Sequence, residues 1–325
     1  MVLNISIGVL LALTIAFGSV KAACAECLPF FIYGYNGKYV HFPKDASFCV
    51  DSDDGKLRIK SDRLGGRVIP PLGRVYSDLN FFGESQLFGF DVSGAPGSHE
   101  LNKVYGGATL VFYGAPNNGP FETLEYLKYV LREKKDLKQV VIGFNYGTDV
   151  FRLMPDWDPS KFVALESKDL PFYLINPFLY EARLTLELLG GRFFTAARPS
   201  NSRLRFLYKS LDKDILRVQV HSFFSRLLKI AVEFDVKVDL IVFPPYWGLK
   251  STDTGEFIEV TSVSESYYRF VCNTLSQFGS IRSVMVAKPN LKKQYLFTSD
   301  KRHFAQNVFS YSSRDGYCSV HLGAP

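Results

Sequence analysis

The sequence predicts an α/β fold: a parallel sheet covered by helices on both faces, preceded by a small β-rich extension. Two patterns carry that expectation. From Pro71 onward, apolar runs of strand length alternate with longer segments of helical periodicity, the order expected of successive βαβ units. Strands made of such runs are apolar on both sides, which suits a sheet buried on both faces. The turn-forming and chemistry-bearing residues also cluster just after the apolar runs, where an open parallel sheet has its ligand crevice. With 325 residues, 47% hydrophobic and 22% charged, the chain has material for one large domain, or a medium and a small one, and is not of disordered composition.

The first element is residues 1–25, a signal peptide for export or an uncleaved anchor. Ile5 to Val20 is apolar and uncharged, short for a spanning helix and suited to the hydrophobic region of a secretory signal. Ala23-Cys24-Ala25 is a small-residue cleavage site, and Val20-Lys21-Ala22 is a second one. No Lys or Arg precedes the apolar run, and Lys21 spoils the position before Cys24 for a lipoprotein. The expected location is secreted, periplasmic or envelope-anchored, with membrane association through this segment if it stays uncut.

Residues 26–71 form the second element, read as short strands and turns. Phe30–Tyr33 and Lys38–Phe42 are aromatic-rich strand candidates around the hairpin signal Tyr35-Asn36-Gly37. Asp51–Gly55, Gly65-Gly66 and Pro70-Pro71 supply turns. The stretch has too few apolar residues for a core of its own and is expected to pack on the larger domain.

Residues 72–325 form that main domain. Its strand candidates are Val75–Phe82, Ala108–Tyr113, Gln139–Phe144, Val238–Phe243 and Ser283–Ala287. Its helix candidates are Phe121–Arg132, Asn176–Leu189, Ile215–Phe234 and Ser264–Phe278. In the last, Tyr267, Tyr268, Val271 and Leu275 fall on one helical stripe, a core-facing signature.

Composition excludes some partners. The net charge of +6 is spread along the chain, and the basic clusters Arg132–Lys138 and Lys292–Lys293 are short or broken by acids, so no nucleic-acid partner is expected. The five His (His41, His99, His221, His303, His321) have no Cys or His at ligand spacing, so neither a metal nor another cofactor is expected. Cleavage after Ala25 leaves four cysteines, read as Cys27–Cys49 and Cys272–Cys318 disulfides or as free thiols.

Four motifs carry chemistry. Gly83-Glu84-Ser85 follows the first main-domain strand; Gly83 permits a sharp turn, and Ser85 stands at a helix start where unpaired N–H groups stabilise a developing oxyanion or receive a cap. Tyr113–Pro120 follows the second strand and would bring backbone N–H groups to the crevice. Gly143-Phe144-Asn145-Tyr146 follows the third and offers the Asn145 amide. Asp300-Lys301-Arg302-His303 sets a carboxylate within reach of an imidazole, fixing its tautomer and leaving Nε2 to take a proton. Tyr246 and Trp247, after the fourth strand, read either as a platform for a sugar ring or as core residues closing a loop.

In this chain order the motifs resemble the four sequence blocks of the SGNH (GDSL-like) hydrolase family, over roughly residues 75 to 310. Gly83-Glu84-Ser85 resembles its G-D-S block, Gly143–Tyr146 its G-x-N-D block and Asp300–His303 its D-x-x-H block. Glu84 and Tyr146 stand where the family has Asp. Gly83, Ser85, Gly89 and Val92 also fit the G-G-S-x-x-x-G-x-G-V segment of members encoded with bacterial envelope-polysaccharide genes.

The resemblance implies a three-layer α/β/α domain that hydrolyses or transfers an acyl ester. Ser85 would be the nucleophile, His303 the general base and then acid, and Asp300 its orienting carboxylate. The oxyanion hole would be the N–H of Ser85, an N–H of the 114–119 turn (Asn117, with Gly114 as alternative) and the Asn145 amide. The expected function is an exported serine esterase, deacetylase or O-acyltransferase on an acylated, chiefly acetylated, envelope or extracellular polysaccharide or other small ester. The alternatives are an inactive SGNH-like protein that binds a polysaccharide or scaffolds its export, and a lipase.

Overall fold

Val140-Val141-Ile142 and Leu240-Ile241-Val242 are apolar on successive positions, so a strand built from them must bury both of its sides. In the computed structural model, all six are buried at the centre of one sheet. The structure describes residues 34–35, 38–41, 44–52, 55–69, 78–84, 105, 109–115, 118–155, 201–251, 257–289, 291 and 309–321. The signal or anchor segment, Phe30–Tyr33 and the helix candidate Asn176–Leu189 lie outside them.

The strands are β1 (Gly34–Tyr35), β2 (Val40–His41), β3 (Ser47–Ser52), β4 (Gly55–Lys60), β5 (Arg67–Ile69), β6 (Asp78–Glu84) and β7 (Thr109–Ala115), then β8 (Gln139–Asn145), β9 (Lys237–Phe243), β10 (Leu249–Ser251), β11 (Phe257–Glu259), β12 (Ser283–Pro289) and β13 (Phe309–Ser313). The α-helices are α1 (Pro120–Glu133), α2 (Tyr146–Arg152), α3 (Asn201–Ser210), α4 (Lys213–Glu233), α5 (Thr261–Arg269) and α6 (Arg314–His321). All five strand candidates of the main domain are present, shifted by at most a few residues.

Seven strands form one sheet in the order β13-β12-β9-β8-β6-β7-β5. The five inner strands are parallel. Both edges are antiparallel, β5 on β7 and β13 on β12, so the sheet is mixed rather than purely parallel. Phe81 and Phe82 are neighbours in the chain, hence point to opposite faces, and both are fully buried. Both faces of the sheet are therefore covered.

The chain enters the parallel part at β6, in the middle, goes to β7 on one side and returns to β8 on the other. Neighbouring strands whose connections leave in opposite directions define a topological switch point, and here it lies between β6 and β8. The crossovers after it share one face. Phe144 of β8 packs on Phe223 and Phe224 of α4 and on Phe270. Phe223 also meets Phe121 of α1.

The expected helix Ser264–Phe278 is instead α5 followed by a π turn at Phe270–Thr274 and a 3-10 turn at Leu275–Gln277. Tyr267, Val271 and Leu275 are buried on the core side as their spacing predicts, with Phe270 added to them, while Tyr268 is half-buried. A disulfide joins Cys272 of the π turn to Cys318 of α6. The expected partner bond of Cys49 involves Cys27, which lies outside the described residues.

Strand β5 falls inside the stretch read as a lead-in. Beside it, Asp62 accepts hydrogen bonds from the N–H groups of Leu64 and Gly66 and from the Tyr113 hydroxyl, and pairs with Lys134 at 3.2 Å. Tyr39 stacks on Tyr126 of α1 with ring centres 4.3 Å apart. These contacts fasten the lead-in to the sheet through side chains on both parts.

Candidate functional site

Strand β6 ends on Glu84 and β8 on Asn145, on either side of the switch point and at the carboxyl edge of the sheet. Both side chains are buried. Asn145 Nδ2 donates to Glu84 Oε1 at 2.7 Å, and Asn145 Oδ1 accepts from the Gly147 N–H at 2.9 Å. A carboxylate only accepts and a backbone N–H only donates, so the two bonds fix which way the carboxamide faces. One N–H of Asn145 is committed to Glu84; Nδ2 carries a second.

Asn145 is also the N-cap of α2. Its side chain satisfies one of the helix's unpaired N–H groups, as Asn does well. Asp149, one turn into the helix, reaches back and accepts the backbone N–H of Asn145 at 2.8 Å. This reciprocal arrangement works like a capping box. Gly147 must be small here, because a Cβ on it would lie 3.0 Å from Pro245 Cα and 3.1 Å from Asn145 Oδ1.

Arg152 closes the cluster. Its Nη1 donates to the Asn118 carbonyl at 2.8 Å and lies 3.8 Å from Glu84 Oε2. Two buried carboxyl groups, Glu84 and Asp149, thus lie near the Arg152 guanidinium. Burial, and next the charge of Glu84, pushes the Asp149 carboxyl well above the usual carboxylate range; Arg152 and the Asn145 N–H oppose this.

Among the residues expected from sequence, Gly114 lies within β7 in register with Gly83, one residue before the strand ends, rather than in the turn after it. Ser85, Asn117, Asp300 and His303 lie outside the described residues. The chain on either side of Asp300 and His303 is described. It leaves β12 at Pro289 and returns into β13 at Phe309, and these two are register partners at the carboxyl edge.

Tyr246 and Trp247 are core residues and not a sugar platform. Both are buried, and Trp247 Nε1 donates to the Gly147 carbonyl at 2.6 Å, behind the Asn145 cap. Glu84, Asp149 and Arg152 were not expected to work together. The signal for them was three charged residues set in or beside apolar strand ends, where an unpaired charge is too costly to keep.

Among the described residues there is no group of His, Cys, Asp and Glu that holds a metal ion, and no helix long and apolar enough to cross a membrane. The chain matches no protein-family model and no curated protein.

Proposed function

We propose that the protein is an exported serine esterase, deacetylase or O-acyltransferase of SGNH type, acting on acyl esters of an envelope or extracellular polysaccharide. The observation that carries this reading is the bond from Asn145 Nδ2 to Glu84 Oε1. It joins the first and third candidate blocks at the switch point, where open α/β sheets bind ligands. Ser85 follows Glu84, the last residue of β6, directly in the sequence.

The chain order supports the remaining pair. Strand β12 is three strand spacings from β6, or about 14 Å. The segment from 290 to 308 starts and ends at the same edge and is long enough to span that gap several times over.

In this mechanism His303, oriented by Asp300, takes the Ser85 hydroxyl proton as Oγ attacks the acyl carbon. The carbonyl electron pair becomes the oxyanion, faced by the N–H groups of Ser85 and of Asn117, or of Gly114 near the end of β7, and by the second Nδ2 hydrogen of Asn145. The intermediate collapses, the sugar hydroxyl leaves with the proton from His303, and the acyl group remains on Ser85. Water then releases the acid, or a second hydroxyl accepts the acyl group. The same Asn145–Glu84 bond also suits an inactive polysaccharide-binding protein, in which the amide serves only as an internal tie.

The test is a serine-reactive phosphonate applied to the full chain, mapped by mass spectrometry, alongside acetate release from an acetylated polysaccharide. Label on Ser85, and loss of acetate release in Ser85→Ala, is the expected result. A folded protein that takes no label, or takes it elsewhere, excludes the mechanism.

A further inference from the structure

The helix α2 sends two charged side chains, three residues apart and so on one face, to the ends of three strands. Asp149 holds the backbone of Asn145 at the end of β8. Arg152 faces Glu84 at the end of β6 and donates to the carbonyl of Asn118, in the turn after β7. Gly119, the N-cap of α1, lies close to α2: a Cβ on it would lie 2.8 Å from Glu122 Oε2 and 3.3 Å from Arg152 Cβ.

We infer that Arg152 is a positioning residue, which sets the oxyanion site by tying the turn after β7 to Glu84 and, through Glu84, to the Asn145 amide. The inference rests on the hydrolase reading above. A guanidinium suits the task because it is planar, always charged and carries several donors in a rigid fork. One nitrogen serves the carbonyl while the charge stays beside the carboxylate. A lysine ammonium is a single point on a flexible stem and cannot keep both partners in the same geometry. Arg152 is placed to act through the groups it holds.

The experiment is a double-mutant cycle with Arg152→Lys and Asn145→Ala, read as kcat and KM for acetyl ester hydrolysis by the full chain. Asn145→Ala removes an oxyanion donor and should lower kcat about 10²–10³-fold. Arg152→Lys should lower kcat roughly 10-fold with KM unchanged in the native background, and under about 2-fold when Asn145 is already Ala. An equal loss in both backgrounds, or full activity in a folded Arg152→Lys protein, overturns the inference.

Should Arg152→Lys not fold, the cycle is run with Glu84→Gln, which keeps an acceptor for Asn145 and removes the charge that Arg152 faces; the same coupling is expected. Phosphonate labelling of Ser85 in the native protein separates the two possible failures. With label present and no coupling, the role of Arg152 falls alone; with no label, the hydrolase reading falls and takes this one with it.

Discussion

The two ends of the sheet each bury acidic side chains, and they treat them in opposite ways. At the amino edge Asp239 is fully buried and saturated. Its Oδ1 accepts from Arg282 Nε at 2.7 Å and Ser283 Oγ at 2.8 Å, and its Oδ2 accepts from Gln139 Nε2 at 2.8 Å and from Arg282 Nη2. The donors come from the strand on each side and from the residue just before β12. One carboxylate meets one bidentate guanidinium, the strong form of the pair. At the carboxyl edge, Glu84 and Asp149 both lie near the Arg152 guanidinium, and Asn145 is held by both. The amino edge is balanced for stability. At the carboxyl edge burial and the neighbouring Glu84 hold the Asp149 carboxyl well above its usual range, a perturbation common where sites handle protons and charge.

If that contrast is right, a cut at each edge should give a different kind of loss. The largest effect on stability is expected from Asp239→Ala, which leaves Gln139 and Ser283 donors and one guanidinium without their acceptor. It should cost about 3 kcal/mol, or roughly 4–5 °C in Tm. Acetate release per folded molecule should stay unchanged; a fall in both would mean that the two edges are coupled.

A subtler effect is expected from Asp149→Asn, which keeps an oxygen for the Asn145 N–H. The folded-state pKa of Asp149 is raised, so its contribution to stability is complete below the unfolded value of 3.8 and is lost as pH rises through the folded value. The variant has no such loss. Its Tm relative to the native protein should therefore climb as pH rises above about 4. A difference that stays flat with pH would show that Asp149 titrates alike in the folded and unfolded protein.

The smallest effect is expected from Trp247→Phe, which removes the donor to the Gly147 carbonyl. About 1–2 kcal/mol should be lost, with acetate release per folded molecule changed by less than about 3-fold if the indole only backs the Asn145 cap. A loss as large as that of Asn145→Ala would make the indole part of the site.

These differences also mark what the sequence could reveal. Strands β6, β7, β8, β9 and β12 were readable because each is an apolar run whose neighbours in the chain form turns. The edge strand β13 was not: Phe309-Ser310-Tyr311-Ser312-Ser313 is polar at three positions, and pairing with β12 makes it a strand. The same holds for β5, which pairs with β7 across a long stretch of chain. The stop of α5 was hidden because a π turn keeps the apolar spacing of a helix while changing its hydrogen bonds.

In the candidate site, Asn145 was visible as a polar residue closing an apolar strand. The role of Glu84 was not, because its partner lies 61 residues away in sequence. Read beside Ser85 alone, it was only a substitution in a motif. Trp247 shows why its two readings stayed open, since an aromatic pair after a strand looks the same whether it faces a ligand or fills the core.

The bond between Cys272 and Cys318 has a consequence for the covalent path of the chain. It closes a ring with a sequence separation of 46 residues that contains β12, β13 and the segment carrying Asp300 and His303. In the chain-entropy account, such a ring removes about 4 kcal/mol worth of disorder from the unfolded state. It also gives the molecule two routes between its body and its C-terminal helix, one through peptide bonds and one through sulfur. A protease that cuts once inside the ring severs the first route and leaves the second, so the two pieces stay one molecule until a thiol reaches the bond.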